Sequence, residues 1–251
     1  MRFALKFAYD GTCFSGYARQ PRQRTVEQTL IDILIDQRVF DDARMSCFRT
    51  ASRTDRGVSA LGNVCAFDTT VSKDEVFSTL TKHISDVFIY GICLVTPDFY
   101  PRHAERREYR YYLRKNSLDV DRMLSAAGLF TGEHNFQNFA RVEPLKNPIR
   151  NIENIIISEK RGFLVLDFYA QTFLWNQIRR IVSALKKAGE GILSETSIRQ
   201  ALRHPERRVD FQLVEPKPLI LRDVMYDFSF EYLLKYKKRL HDIENRILAS
   251  L

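Results

Sequence analysis

In this 251-residue chain, apolar residues recur at every second position in some segments and at every third or fourth position in others. The order of these segments along the chain restricts the fold more than any other feature. Residues 2–9 alternate as a strand does, whereas Val26, Leu30 and Leu34 lie on one face of a helix. The predicted elements of the first hundred residues are, in order, a strand at 2–9, a helix from Val26, strands at 45–52 and 63–69, a second helix behind Ser72 and a strand at 89–95. This is the order βαββαβ.

The second half of the chain repeats that order. Its predicted elements are a strand at 108–115, a helix from Ser117 to Gly128, a hairpin of 152–157 and 162–171, helices at 174–187 and 195–203, a strand at 219–228 and a final basic helix within 229–251. Two such units predict an α+β fold of two ferredoxin-like (RRM-like) halves, residues 1–100 and 101–251. We expect the halves to join into one mostly antiparallel sheet with a central cleft.

Composition narrows the classes of protein to which this chain can belong. Lys plus Arg number 39 against 31 Asp plus Glu, a net charge of +8 that suits a phosphate-backbone partner as well as many ordinary soluble proteins. The four cysteines have no close pair and no nearby histidine, which argues against a zinc site and a disulfide framework. Because no apolar run approaches the roughly 18 residues of a membrane span, we expect a soluble, cytoplasmic protein.

The segment 49–64, RTASRTDRGVSALGNV, lies between two predicted strands and concentrates charge. Arg53, Asp55 and Arg56 fall within four positions, and Gly57 permits a tight bend. Guanidinium groups beside a carboxylate keep it ionised. Asp55 is therefore either a brace within the loop or a catalytic carboxylate, and the segment by itself leaves both open.

Three further segments carry polar or aromatic groups, and each segment allows two interpretations. Tyr109 and Tyr111 alternate on a strand, so their rings share one face and either stack on a base or fill the core. Arg179 lies one position from the apolar stripe of its helix, so it is either an ordinary surface arginine or a functional one. The loop at 9–20 suits an RNA-facing wall and a structural turn equally.

These segments together resemble a known family. FAYDGTCFSGYARQ (7–20), SRTDRGVSALGNV (52–64), REYRYYL (107–113) and FLWNQIRRIV (173–182) are similar to the motifs of TruA-type tRNA pseudouridine synthases, in the family's order and over nearly the whole chain. The form of the last motif is closer to the archaeal or eukaryotic branch. The chain departs from the usual pattern at Arg56, Ser59, Ser183 and Pro218, none of which is expected to take part in the chemistry.

The resemblance implies an isomerase that needs neither cofactor nor metal. It assigns the catalytic carboxylate to Asp55, and it pairs Asp55 with Arg179, which keeps the carboxylate ionised. Tyr109 would stack on the target uracil, and Arg53 would fill the space that the nucleotide leaves. Leu219 or Leu221 would form the apolar wall of the pocket.

The resemblance also implies the partner. The expected substrate is tRNA, bound in the central cleft and modified at uridines 38, 39 or 40 of the anticodon stem-loop, and the expected assembly is a homodimer. Extruding the base costs a few kcal/mol, which stacking and backbone contacts offset. The candidate phosphate contacts are Arg19, Arg22, Arg24, Arg102, Arg106 and Arg107.

Two other functions remain alternatives on the residues alone. A non-catalytic protein of two RRM-like halves would explain the charge and the aromatics, but the aromatic-rich octamer of an RRM strand is missing. A metal-dependent RNA nuclease would need further acidic residues at metal-ligand spacing beside Asp55, and the sequence offers none there.

Overall fold

The computed structural model describes residues 1–82 and 86–251. Its strands are β1 (Arg2–Tyr9), β2 (Arg49–Thr50), β3 (Ser59–Asp68), β4 (Val87–Val95), β5 (Arg106–Arg114), β6 (Gly132–Asn135), β7 (Ile149–Lys160), β8 (Phe163–Ala170), β9 (Leu219–Met225) and β10 (Glu231–Tyr232). Its helices are α1 (Val26–Asp36), α2 (Lys73–Lys82), α3 (Val120–Gly128), α4 (Gln177–Gly189), α5 (Glu195–Arg203) and α6 (Tyr236–Ala249).

The chain divides into two compact units. Unit 1 comprises Met1–Glu105 and Ile220–Leu251, and unit 2 comprises Arg106–Leu219. The predicted boundary after residue 100 lies close to the observed one, but the assignment of everything after it to the second half was wrong. The chain returns to unit 1 because Ile220 and Leu221 of β9 pair in parallel with Ser59 and Ala60 of β3.

Unit 1 is built around β1, whose eight residues are all buried. The strand pairs antiparallel with β3 on one side and β4 on the other, and β10 and β9 extend the sheet at its two ends. The predicted βαββαβ order of the first hundred residues is confirmed. The strand predicted at 45–52 is only Arg49–Thr50, because the backbone turns before it, with Cys47 at a φ of 46°.

Unit 2 is a four-stranded antiparallel sheet in the order β5-β8-β7-β6. The predicted hairpin is confirmed, with β7 and β8 joined by Arg161 and Gly162. Asp119 rather than Ser117 caps α3, since its carboxylate accepts from the Arg122 amide at 3.1 Å. The predicted second βαββαβ unit is not confirmed, because β6 is an added strand and β9 lies in unit 1 from residue 220 onward. The fold is α+β with mostly antiparallel strands.

The helices follow the local signals in the sequence. Thr25 caps α1 by accepting from the Gln28 amide at 3.4 Å, as its capping-box pattern predicts. Ser194 caps α5, which begins and ends at the predicted residues. Among the described helices, none combines the length and the apolar character that crossing a membrane requires.

A buried ion pair connects the central strand of unit 1 to β9. Lys6 is 5% exposed, and its Nζ lies 2.5 Å from Asp223 Oδ1 and 5.2 Å from the centre of the Phe230 ring. A buried ammonium without its counter-ion retains the desolvation cost and loses the attraction that offsets it. The pair therefore connects β1 to β9, which lie on opposite sides of β3 in the sheet.

We predict that Asp223→Asn lowers the free energy of unfolding by about 2–3 kcal/mol, because Lys6 remains buried and unpaired. Chemical denaturation followed by circular dichroism measures this change. The matched control is Glu231→Gln, which breaks the exposed Lys73–Glu231 pair and should leave the midpoint nearly unchanged. Equal midpoints for the two variants would contradict the assignment.

Candidate active site

The loop that carries Asp55 is held by main-chain hydrogen bonds at both of its ends. The amide of Ala51 donates to Val64 O at 2.8 Å, and the amide of Tyr17 donates to Thr54 O at 3.1 Å. Inside the loop, the Val58 amide donates to Asp55 O at 3.1 Å and closes a turn. Backbone groups paired in this way fix the direction in which the loop side chains point.

Side chains in this loop alternate between the interior and the solvent. Thr54 is buried and its Oγ1 lies 2.8 Å from the Tyr9 hydroxyl, whereas Arg53 and Arg56 are exposed. Asp55 is half-buried between them. The buried Thr54 thus anchors the loop and leaves the neighbouring carboxylate at the edge of the core.

Two glycines permit the path of this loop. Gly57 has a φ of 85°, which disfavours residues with a Cβ. Gly11 lies so close to the loop that a Cβ would come within 2.9 Å of the Ser59 amide nitrogen, and closer still to Val58 O. The Gly11 amide donates to Ser59 Oγ at 2.9 Å, so the Ser59 side chain stabilises this contact.

The segment after β1 therefore supports the Asp55 loop. Its aromatic rings pack around Tyr9, with centroids 6.2 Å away for Phe14 and 6.3 Å for Tyr17. Asp10 accepts from the Thr12 amide at 2.9 Å and fixes the turn that follows the strand. These contacts support the structural interpretation of residues 9–20, and the RNA-facing interpretation stays a prediction.

In unit 2, Tyr109 lies on β5 opposite Phe168 of β8. Its ring is 9% exposed and meets Phe173 edge-to-face, with the centroids 5.4 Å apart. Tyr111 shares that side of the strand, and its hydroxyl donates to Glu215 O at 3.1 Å. Burial, and then the negative charge of Glu215, raise the pKa of the Tyr111 hydroxyl, which stays protonated at neutral pH.

Arg110 points to the opposite side of β5 from the two tyrosines and forms a two-point ion pair. Its Nε and Nη2 lie 2.6 Å and 2.8 Å from the carboxylate oxygens of Asp167, the residue paired with it in the β5–β8 register. The hydrogen bond to Asp167 raises the pKa of the guanidinium. Arg110, which lies between Tyr109 and Tyr111 in the sequence, is therefore a structural residue of the sheet.

Arg179 lies in the first turn of α4. Its Nε donates to Val214 O at 2.9 Å, and its Nη1 lies 3.3 Å from Asn176 Oδ1. Asn176 precedes the helix in the left-handed conformation, with a φ of 64°. The guanidinium is thus held by the loop that follows α5 and by the residue before its own helix.

The predicted site residues fall into two groups. Asp55, Arg53 and the fully buried Leu221 belong to unit 1, and Tyr109, Arg179 and Leu219 belong to unit 2. Within unit 1 the structure brings together the Asp55 loop and the 7–20 motif. The pairing of Asp55 with Arg179 stays a prediction.

The six arginines proposed to contact phosphates differ in their surroundings. Arg107 is buried and donates to Gln171 O, so it is poorly placed to meet a phosphate, contrary to the prediction from sequence. Arg24 pairs with Asp86 and lies 5.0 Å from the Phe14 ring centre, and Arg106 pairs with Glu153 at 2.7 Å. The three others, all exposed, are Arg19, Arg22 and Arg102.

Sequence reasoning missed the residues that support Asp55. Thr54 and Ser59 lie within the motif already singled out, and Gly11 lies within the other, but a motif does not tell which members contact each other. The signal available was Gly11 itself, because a glycine directly after a strand often marks a close approach of two backbones. Across the described residues, no group of three or more His, Cys, Asp or Glu side chains is placed to hold a metal ion.

Comparison with known proteins connects this geometry to a family. A family model described as tRNA pseudouridine synthase matches residues 126–227. The tRNA pseudouridine synthase A of Thermococcus sibiricus is 42% identical over 230 residues, covering 90% of this chain and 85% of that protein. The protein of the same description from Thermococcus onnurineus is 42% identical over 256 residues, covering 100% of this chain and 95% of its own.

The chain belongs to the tRNA pseudouridine synthase A family. The family resemblance of the four motifs is confirmed, and so is its consequence that the protein is an enzyme of the isomerase class. Among solved structures, a chain of a Cbf5-Nop10-Gar1 complex aligns with 72% of this chain at a TM-score of 0.39 and 13% identity. This chain spans 44% of that one, and the likeness is too distant to support a conclusion about this protein.

We predict that Gly11→Ala reduces the synthase activity at least about tenfold, since the added Cβ displaces the Asp55 loop and small misplacements of a catalytic group are costly. Release of tritium from C5-labelled uridine in tRNA measures the rate. The matched control is Gly128→Ala, because a Cβ at Gly128 of α3 meets nothing within 4 Å. Full activity in Gly11→Ala would show that the close approach does not position the loop.

Proposed function

We propose that this protein converts uridines 38, 39 or 40 in the anticodon stem-loop of tRNA to pseudouridine, with Asp55 as the catalytic carboxylate. The observation that carries the proposal is the placement of Asp55: a half-buried carboxylate on a loop fixed at both ends, within a family of tRNA pseudouridine synthases. The substrate class follows from the names of the relatives, and the positions follow from the resemblance of the motifs.

The reaction rearranges one nucleotide. The bond between N1 of uracil and C1′ of ribose breaks, the base turns, and a bond forms between C5 and C1′. The proton on C5 leaves and N1 gains a proton, so no electrons are exchanged with a partner. We assign Asp55 either attack on the nucleotide or abstraction of a ribose proton, since both require an ionised carboxylate next to the sugar.

The other residues of the proposed site position the nucleotide. We assign Arg179 as the partner of Asp55, and its partial burial against Val214 O suits a charge held in one place. Tyr109 offers a ring for the uracil to stack on. Arg53 is exposed next to Asp55, where it can occupy the gap left in the RNA when the base is extruded.

The proposed site also has an apolar wall beside the nucleotide and a basic surface that contacts phosphates. Leu219 and Leu221 take alternate positions on β9 and line the pocket. Exposed arginines at Arg19, Arg22 and Arg102 are the preferred phosphate contacts, because contacts to phosphates set the register of an RNA without reading its bases. The homodimer and the cytoplasmic location stay predictions.

We predict that Asp55→Asn abolishes pseudouridine formation and leaves the Kd for tRNA within about threefold, because catalysis and backbone binding use different groups. Tritium release and fluorescence anisotropy measure the two properties, both in the presence of a chelator, which a metal-dependent nuclease would not tolerate. The matched control, Asp74→Asn, removes an exposed carboxylate from α2 and should behave as wild type. Turnover by Asp55→Asn above about a hundredth of wild type would remove Asp55 from its role.

We predict that Tyr109→Phe retains about a tenth or more of the single-turnover rate, because the ring that stacks on the base is preserved. Tyr109→Ala should lose much more, and Tyr111→Phe, which removes a hydroxyl bound to Glu215 O, serves as the neighbouring control. An inactive Tyr109→Phe with normal tRNA affinity would instead assign a proton-transfer role to the hydroxyl.

A further inference from the structure

The C-terminal helix α6 carries basic side chains that take no part in the proposed active site. Lys235 precedes the helix, and Lys238, Arg239 and Arg246 lie within it at a spacing that places these three on one side. They line an open groove of about 630 Å³, whose full set of lining residues is Lys235, Lys238, Arg239, Asp242, Asn245 and Arg246. We call this surface the basic stripe.

The helix beneath the basic stripe is firmly attached to unit 1. Ile243 and Ile247 are buried, and α6 packs on β3. Glu244 pairs with Arg222 of β9 at 2.5 Å. The basic stripe therefore lies on a rigid support, packed on the strand that directly follows the Asp55 loop.

The positive charge of the basic stripe exceeds the negative charge beside it, because Asp242 is the one carboxylate among the residues that line the groove. Across residues 1–80 and 86–251, whose side chains the structure describes, none of the four cations lies within ion-pair distance of a carboxylate. Many other exposed cations are paired, as Lys115 is with Glu159 at 2.7 Å. Arg239 stacks on Phe88 with 4.3 Å between the guanidinium carbon and the ring centre, which fixes its position.

Four cations against one carboxylate leave the stripe with an excess of positive charge, and a polyanion lying along the helix neutralises that excess. From Lys235 to Arg246 the helix rises about 16 Å. One nucleic-acid strand carries a phosphate about every 3.4 Å along its axis, so the stripe matches several phosphates. Arginine side chains supply hydrogen bonds to phosphate oxygens as well as charge, and Asn245 supplies hydrogen bonds alone.

We propose that the basic stripe binds the phosphate backbone of the substrate RNA, outside the residues that act on the uridine. The inference rests on the proposed tRNA substrate and adds a second contact region to it. Because the stripe meets phosphates rather than bases, it increases affinity and leaves the rate of the bound complex unchanged.

The test is the triple variant Lys235→Ala/Lys238→Ala/Arg246→Ala, which spares Arg239 because that side chain packs on Phe88. Lys238 and Arg246 lie within α6, where alanine is favourable, and Lys235 precedes the helix, so α6 is retained. Titration of tRNA at several salt concentrations should give a Kd about 10- to 100-fold higher, and a slope of log K against log salt smaller by about two to three. The single-turnover rate at saturating tRNA should equal that of wild type.

The matched control removes the same charge elsewhere, as Lys146→Ala/Lys160→Ala/Arg199→Ala, three exposed cations outside the stripe. It should change the salt slope by less than one, since these side chains meet no phosphate. A triple variant that behaves like this control overturns the inference and leaves the stripe to another acidic partner. Lys238→Gln alone, expected to lower the slope by about one, repeats the test should the triple variant lose its fold.

The two proposals fail in different ways. If wild type binds tRNA with the stripe-dependent slope and makes no pseudouridine, the proposed function is wrong and the stripe is an RNA-binding surface. If pseudouridine forms and the slope is unaffected by the triple variant, only the inference about the stripe is wrong.

Discussion

The contact between the segment after β1 and the loop before β3 determines where the catalytic candidate lies. Thr54 enters the core to meet the Tyr9 hydroxyl, and the amide of Tyr17 binds Thr54 O. Because Gly11 has no Cβ, the two backbones approach closely enough for its amide to reach Ser59 Oγ. Asp55, the neighbour of the anchored Thr54, is thereby held at the edge of the core, where a charge and a substrate can both be accommodated.

The ion pairs of Lys6 and Arg110 each connect two strands of one unit. Lys6 of β1 meets Asp223 of β9, and Arg110 meets Asp167 directly across the β5–β8 ladder. A charge left without its partner in the core is costly, so the Arg110–Asp167 pair favours the observed register of β5 and β8. The Lys6–Asp223 pair favours the observed approach of β9 to β1 across β3. The basic stripe of α6 is the contrasting case, because its charges are exposed and suited to an external anion.

The sequence predicted local elements better than their assembly. Period and capping residues located β1, α1 and α5 closely, since these signals depend only on neighbouring residues. The choice of Asp119 over Ser117 as a cap, and the pairing of β9 with β3, depend on tertiary contacts that no window of sequence contains. Motif resemblance named Asp55 as a candidate, whereas its support by Thr54 and Gly11 needed the structure.

The central claim is that this chain, acting alone, isomerises uridine in the anticodon stem-loop of tRNA. The most direct measurement is mass-spectrometric mapping of pseudouridine in an unmodified tRNA transcript incubated with the purified protein, without added metal or cofactor. The account predicts pseudouridine at position 38, 39 or 40 and at no other uridine. Tight tRNA binding without pseudouridine, or pseudouridine confined to another part of the tRNA, would contradict it.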